Sequence, residues 1–437
     1  MDEMKILKPF CDTIGFRTVS DQSGSNDLAP FYELADYLEA TFPLVHSAFT
    51  RERVNSASLL YTLTGSDPEP DPAMLTAHLD VVPAEEDEAW YEPPFSGTIS
   101  RGRVWGRGTV DYKLGLSAML QACEDALEDG FMPRRTLILS FGHDEEVGGL
   151  KGAAEIVKVL NKRGVRLSSV LDEGGYIYSY PWLKRDVAVI GLAEKGYLTL
   201  KLTARGSQGH ASVPRVSTAA GRLCRCLGEL EEKQFSPRLC GPVSILLHES
   251  RDLMKDGSAE STEEIMDRME EYPSGNALIR TTTAITMIKG SMKENVIPAE
   301  PSALVNFRAV PGDTSDTVMD HVTDIAENYG IEVKYQDMNQ IHEPSATSSM
   351  DTMEYMALKS CCGEIWPGIP VLPGIFPAAT DSRHYGKISD NVYRFEPVRL
   401  GPEGLRILHS HGESVLAEDY LNAVRFYRKY IKRVCSR

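Results

Sequence analysis

Residues 139–149, "LSFGHDEEVGG", decide how the chain is read. Thr136 to Phe141 make an apolar, strand-like run. The chain leaves it through His143, Asp144, Glu145 and Glu146, with Gly148 and Gly149 close behind. Four ionisable groups at the mouth of a buried strand are costly unless positive charge stands against them. The stretch therefore implies a strand end that holds cations.

The sequence on either side keeps a βαβ rhythm as far as about Lys195. "LAPFYELADYLEATF" (28–42) and "LKGAAEIVKVLNKRG" (150–164) are amphipathic helices, and "GLSAMLQACEDALEDG" (115–130) is a helix closed by Gly130. "SASLLYTL" (56–63), "AMLTAHLDVV" (73–82), "RTLILSF" (135–141) and "LSSVLDEGG" (167–175) read as strands. This alternation predicts an α/β domain with a mostly parallel sheet and helices on both faces, its ligands gathered beyond the carboxyl ends of the strands. From "KGYLTLKLTAR" (195–205) to "IEVKYQD" (331–337) the order becomes β-α-β-β-α-β, an α+β, ferredoxin-like insert. The charged segment from about 250 to 275 shows little apolar periodicity and reads as a helical insertion within it. The α/β style returns after about 340 and ends in a helix, Glu418 to Lys432. The expected division is 1–195 with 340–437 for the α/β domain, and 196–339 for the insert.

Composition narrows the function. A length of 437 residues suits this two-part layout. A net charge of −17 argues against nucleic acid or an anionic membrane as partner. No run of 18 apolar residues offers a membrane span. "MDEMKILKPFCDTIGF" starts acidic and lacks the apolar core of a secretory signal. The eight cysteines are scattered without a C-x-x-C pair, so the expected setting is reducing and cytoplasmic. Cys224 and Cys226 read as small helix residues, not ligands.

Five places offer metal-type ligands: His78 with Asp80, Asp111, Glu145–Glu146, Asp172–Glu173, and His409 with His411 and Glu413. Residues 78 and 80 share one face of a strand, so Asp80 can orient the imidazole. Gly106, Gly108 and Gly115 permit a tight loop around Asp111. Adjacent Glu145 and Glu146 point different ways, so one can ligate while the other faces a cavity. Imidazole and carboxylate without thiolate suit zinc, manganese or cobalt. Paired dications acidify a shared water and polarise a carbonyl, and a free carboxylate beside them moves the proton. A dinucleotide fingerprint is absent.

In order along the chain, "TAHLDVVP", "GRGTVDYKLG", "GHDEEVGG", "LDEGG", "GHAS", "NVIPAEPSALVNFR", "TDSRHY" and "HSHGE" resemble the signatures of the M20 family of co-catalytic zinc peptidases and amidohydrolases, which includes aminoacylase-1, carboxypeptidase G2 and Gly-Xaa carboxypeptidase. The resemblance implies two divalent ions, zinc first, with cobalt or manganese as alternatives. Asp111 would bridge them. His78 and a carboxylate from Asp172 or Glu173, a choice left open, would complete one site. Glu146 and His409 would complete the other; His409 is preferred to His411 because the family ligand stands four residues before a Glu, here Glu413. Glu145 would be the general base, with Asp80 supporting His78. On the insert, His210 would reach across a homodimer to the scissile carbonyl oxygen, a donation typically worth about 3 kcal/mol, and Asn295 and Arg308 would touch substrate. Arg383 would clamp a free carboxylate, the alternative being a structural pair with Asp381. A cis peptide is expected at Asp111–Tyr112. The implied activity is metal-dependent hydrolysis of the amide bond of N-acyl amino acids or short peptides bearing a free carboxylate. The alternatives are a dipeptidase or carboxypeptidase of the same chemistry, and a non-catalytic metal-binding interaction protein.

Overall fold

The computed structural model describes residues 3–20, 27–85, 89–253, 261–401 and 404–436. They divide into two compact units. One comprises Met1–Leu192, Thr347–Gly374 and Thr380–Arg437; the other comprises Ala193–Ala346 and Ile375–Ala379. The expected division places 193–195, 340–346 and 375–379 with the α/β part, whereas all three stretches belong to the second unit.

The first unit is built on a nine-stranded sheet. Its centre is four parallel strands in the order Leu137–Gly142, Ala73–His78, Ser169–Asp172, Val392–Arg394. The hairpin Thr50–Val54/Ser58–Leu63 extends it antiparallel on one side, and strand Arg185–Glu194 joins antiparallel on the other. Every residue of the first three central strands is buried, which explains why they read as unbroken apolar runs. Register puts Met74 beside Ile138 and Val170, and Leu75 beside Leu139 and Leu171. The first set packs on Ile156, Val157 and Leu160 of helix Ala153–Lys162. Each such fully buried aliphatic side chain contributes about 1.5–3 kcal/mol. Helix Lys113–Glu128 packs against strand Ala73–His78 and the C-terminal helix Ala417–Cys435. Because the central strands run parallel, their carboxyl ends share one rim. Register sets His78 opposite Gly142, so His78 and the "HDEE" turn leave the sheet side by side.

The second unit holds a four-stranded sheet in the order Thr282–Lys289, Ser302–Arg308, Leu198–Ala204, Ile331–Tyr335, each neighbour antiparallel. Leu198, Leu200, Leu202 and Ala204 face one side. Helices Ala219–Glu232 and Ser315–Glu327 cover that side with Leu223, Cys226, Leu227, Leu230, Val318, Val322 and Ile325. Thr218 and Thr314 cap these helices. Cys226 is thus core. The segment read as an insertion is helical over Gly241–Ser250, Thr262–Glu270 and Pro273–Ile279, with 254–260 outside the described residues. It is less featureless than its sequence implied: Ile265 and Met269, one turn apart, are buried with Leu278 and Ile279. Lys195 ties the segment to the sheet unit, its buried Nζ donating to the Ala277 (2.9 Å) and Arg280 (2.8 Å) carbonyls. Among the described residues, no helix is long and apolar enough to cross a membrane.

Candidate metal centre

Asp111 stands at the middle of the cluster. One carboxylate oxygen, Oδ1, lies 3.0 Å from His78 Nε2, and the other, Oδ2, lies 2.9 Å from His409 Nε2. Glu173 Oε1 is 3.6 Å from His78 Nε2, and Glu146 Oε2 is 3.4 Å from His409 Nε2. Ligand-type atoms of His78, Asp111 and Glu146, and likewise of His78, Glu145 and Glu173, lie within 4.8 Å of one another. The Asp111–Tyr112 peptide is cis. The Tyr112 ring is buried against Gly115, where a Cβ would come 2.2 Å from the ring, so this glycine is required by close approach.

The turn after strand Leu137–Gly142 is held by two aspartates. Asp80 accepts from the Glu145 and Glu146 amides, both at 3.1 Å, and from the Ser20 hydroxyl. Asp144 accepts from the amides of Lys151 (2.8 Å) and Gly152 (2.7 Å). The expected support of His78 by Asp80 takes a different form: His78 Nδ1 lies 2.9 Å from the Asp80 carbonyl and 3.5 Å from its carboxylate. Asp80 thereby couples the His78 strand end to the Glu145–Glu146 turn. His143 Nδ1 pairs with Ser58 Oγ at 2.6 Å and turns away into the fold.

Asp172 and Glu173 part company. Asp172 accepts from Thr380 Oγ1 (2.9 Å) and Ser382 Oγ (2.7 Å), and its second oxygen accepts from the Glu173 amide (2.9 Å). Both oxygens are engaged away from the cluster. Glu173 is the member that faces His78.

The cluster's electrostatics are those of acids crowded out of water. Burial, reinforced by Asp111, pushes Glu146 up to about 7 and Glu173 up to about 8. Burial and Glu173 raise Glu145 well above the usual carboxylate range. Hydrogen bonds to Asp111 and Glu146 lift His409 to about 10. Burial opposes a charge on His78, yet Glu173, Asp111 and Asp80 together raise it. Burial likewise opposes a charge on Asp111, and the two imidazoles lower its pKa against that. Glu146 Oε1 is buried with no hydrogen-bond partner, an arrangement that costs about 1–3 kcal/mol or more for a charged group unless a cation takes it. Hard oxygen and imidazole donors with an orphaned carboxylate oxygen fit divalent metal ions.

Arg383 and Asp381 also lie in this unit. Asp381 is buried with neither oxygen hydrogen-bonded, and Arg383 Nε is equally without a partner, so the expected Arg–Asp alternative is not realised as a hydrogen-bonded pair. His210, Asn295 and Arg308 lie in the second unit. Gly209–His210 pairs antiparallel with Val296–Ile297, which brings the exposed His210 beside the exposed Asn295. His210 Nδ1 pairs with Ser212 Oγ at 2.7 Å. Arg308 lies over the Tyr197 ring, 4.5 Å from its centroid, and donates to Asn306.

The sequence offers Glu413 as a metal-type side chain and as the marker that picks out His409, and it gives Arg107 no role; in the structure Arg107 and the loop amides engage both Glu413 oxygens. Arg107 and Glu413 are buried and joined at 2.6 Å between the Asp111 loop and His409. The signal available was their place inside the "GRGT" and "HSHGE" motifs.

The model of peptidase family M20/M25/M40 matches residues 74–433. The chain belongs to this family. It is 36% identical to the N-fatty-acyl-amino acid synthase/hydrolase PM20D1 of Mus musculus, over 99% of this chain and 88% of that protein. It is 32% identical to carboxypeptidase S of Saccharomyces cerevisiae, over 92% and 78%. Human carnosine dipeptidase 1 superposes with a TM-score of 0.71 over 99% of this chain and 96% of the other; at 15% identity this likeness shows the fold. As a member of the M20 family the protein is a hydrolase of the metallopeptidase type, acting with divalent metal.

Proposed function

We propose that the protein uses two divalent cations, zinc first and cobalt or manganese as alternatives, to hydrolyse the amide bond of N-acyl amino acids that carry a free carboxylate. One observation carries this reading: the two oxygens of Asp111 face two different imidazoles, His78 and His409, each with its own glutamate, Glu173 and Glu146. His78 and Glu173 would hold one cation, Glu146 and His409 the other, with Asp111 shared. The cations would supply the field that polarises the scissile carbonyl and acidifies the attacking water. Glu145 takes the water's proton on its carboxylate and returns it to the departing amine nitrogen. Arg383 clamps the free carboxylate of substrate. His210 donates to the carbonyl oxygen as charge develops there, with Asn295 and Arg308 as further substrate contacts. The second unit serves as lid and homodimer element. Support for the pairing comes from edge strand Thr282–Lys289, which exposes Met287 and Ile288; such an unpaired apolar edge invites another strand. The eight free cysteines fit a reducing, cytoplasmic setting.

The likeness to the fatty-acyl-amino acid hydrolase favours N-acyl amino acids, and that to carboxypeptidase S favours peptides as the second reading. Hydrolysis of N-acetyl and N-oleoyl amino acids alongside blocked and free dipeptides, with zinc, cobalt or manganese, separates them. Faster turnover of the dipeptides overturns the first reading. Glu145→Gln is expected to lower the rate by about 10²–10⁴-fold with cation content unchanged. A full rate in that variant removes Glu145 from the role.

A further inference from the structure

An ion pair that plays no part in the proton transfers above lies between the Asp111 loop and His409. Arg107 and Glu413 are almost fully buried, 3% and 0% exposed. Arg107 Nη1 donates to Glu413 Oε2 at 2.6 Å, and its Nη2 donates to the His409 carbonyl at 3.1 Å. The other carboxylate oxygen, Oε1, accepts from the amides of Gly108 (2.9 Å), Val110 (3.0 Å) and Asp111 (3.3 Å). The Gly106 amide donates to the Glu413 carbonyl at 3.1 Å. The Arg107 guanidinium also lies over the Trp90 ring, 5.0 Å from its centroid. His409 has φ +59°, a left-handed backbone that non-glycine residues seldom adopt, and it is this residue's carbonyl that Arg107 holds.

A buried ion pair is weak support for stability, because desolvation offsets much of the attraction. What this one offers is geometry. A planar guanidinium fork and a carboxylate with two acceptor oxygens grip two segments far apart in the chain through their backbones. We propose that Arg107 and Glu413 are positioning residues: together they set Asp111 and His409 in the relative placement that lets both grip one cation. The pair rests on the two-cation reading of the site and adds the device that tunes the Asp111–Glu146–His409 half of it. Removing either partner frees the loop amides or the left-handed His409, and that half of the site loosens first.

The test measures cation stoichiometry, affinity in competition with a chromophoric chelator, and the visible absorption of the cobalt-loaded protein. It compares wild type with Arg107→Met, Arg107→Lys, Glu413→Gln and the double variant Arg107→Gln/Glu413→Gln. Loss of a residue that orients a metal ligand typically weakens binding 10–100-fold. Arg107→Met and Glu413→Gln are expected to weaken one of two cations by that factor, to shift the cobalt spectrum, and to leave the other cation within a few fold. Arg107→Lys recovers part of the loss, since an ammonium keeps the charge but lacks the fork. The double variant leaves no lone buried charge, so it carries the test where a single variant does not fold. Wild type binding two cations, with all variants matching its affinities and spectrum, overturns the brace alone. A wild type that binds no second cation overturns the two-cation reading and the brace with it.

Discussion

His78 and His210 carry the same imidazole in opposite surroundings. His78 ends a buried strand, 2% exposed, with Asp111, Glu173 and Asp80 around its ring. His210 sits on a two-residue strand, exposed, with Ser212 at its Nδ1. The first is specified entirely by its own fold: strand register, a neighbouring loop and a turn fix every partner. The second is presented by its fold without being enclosed by it. A buried group of this kind is coupled to stability, ligand binding and rate together, whereas an exposed one can be altered with little cost to the fold.

The contrast predicts separable losses. His78→Ala should have the largest effect. It leaves Asp111 and Glu173 facing each other without their imidazole, so cation content should fall by at least one equivalent and hydrolysis on the order of 10³-fold or more; metal analysis alongside initial rates checks this. Full loading in that variant would break the comparison at its root. His210→Ala should lower kcat by about 10²–10³-fold while cation content stays constant and stability moves by no more than about 0.5 kcal/mol. A loss of metal there would show that the exposed histidine is no less coupled than the buried one.

A third difference is in the response to pH. In the first unit, burial pushes Asp419 up to about 6, against about 3.9 unfolded. Between those values the native state binds the extra proton, so this group withdraws stability as pH rises from about 4 to about 6. In the second unit, burial first and Arg308 next push Lys195 down to about 7, against about 10.4 unfolded. Here the unfolded chain binds the extra proton, so stability rises between about pH 7 and 10. Melting temperatures across both ranges should show Asp419→Asn abolishing the fall and Lys195→Met flattening the rise, at about 1.4 kcal/mol per pKa unit amounting to at most about 3 and about 5 kcal/mol. Parallel pH profiles for variant and wild type would remove the assigned groups from the effect.

Much of the site is legible along the chain because parallel strands leave a simple record. A buried run that ends in charge names both the rim and the ionisable side chains clustered on it, as with His78, Glu145–Glu146 and Glu173. The choice between Asp172 and Glu173 is not legible locally, because it depends on hydroxyls of Thr380 and Ser382, which come 208 and 210 residues later. Arg107 and Glu413 stay hidden for the same reason, their contact spanning 306 positions. The inserted unit reveals its sheet through alternation, as in Leu198–Ala204 with every second side chain buried. It conceals the Ile265–Met269 stripe, since two buried residues in a charged helix make too short a pattern to register.

The Asp111–His409 contact bridges 298 positions of sequence. On the ribosome, His78, Asp111, Glu146 and Glu173 are all made well before the His409 imidazole that meets Asp111. A chain stopped before residue 409 would leave Asp111 Oδ2 without its imidazole partner, so the cluster takes shape only once both ends of that long span have been made.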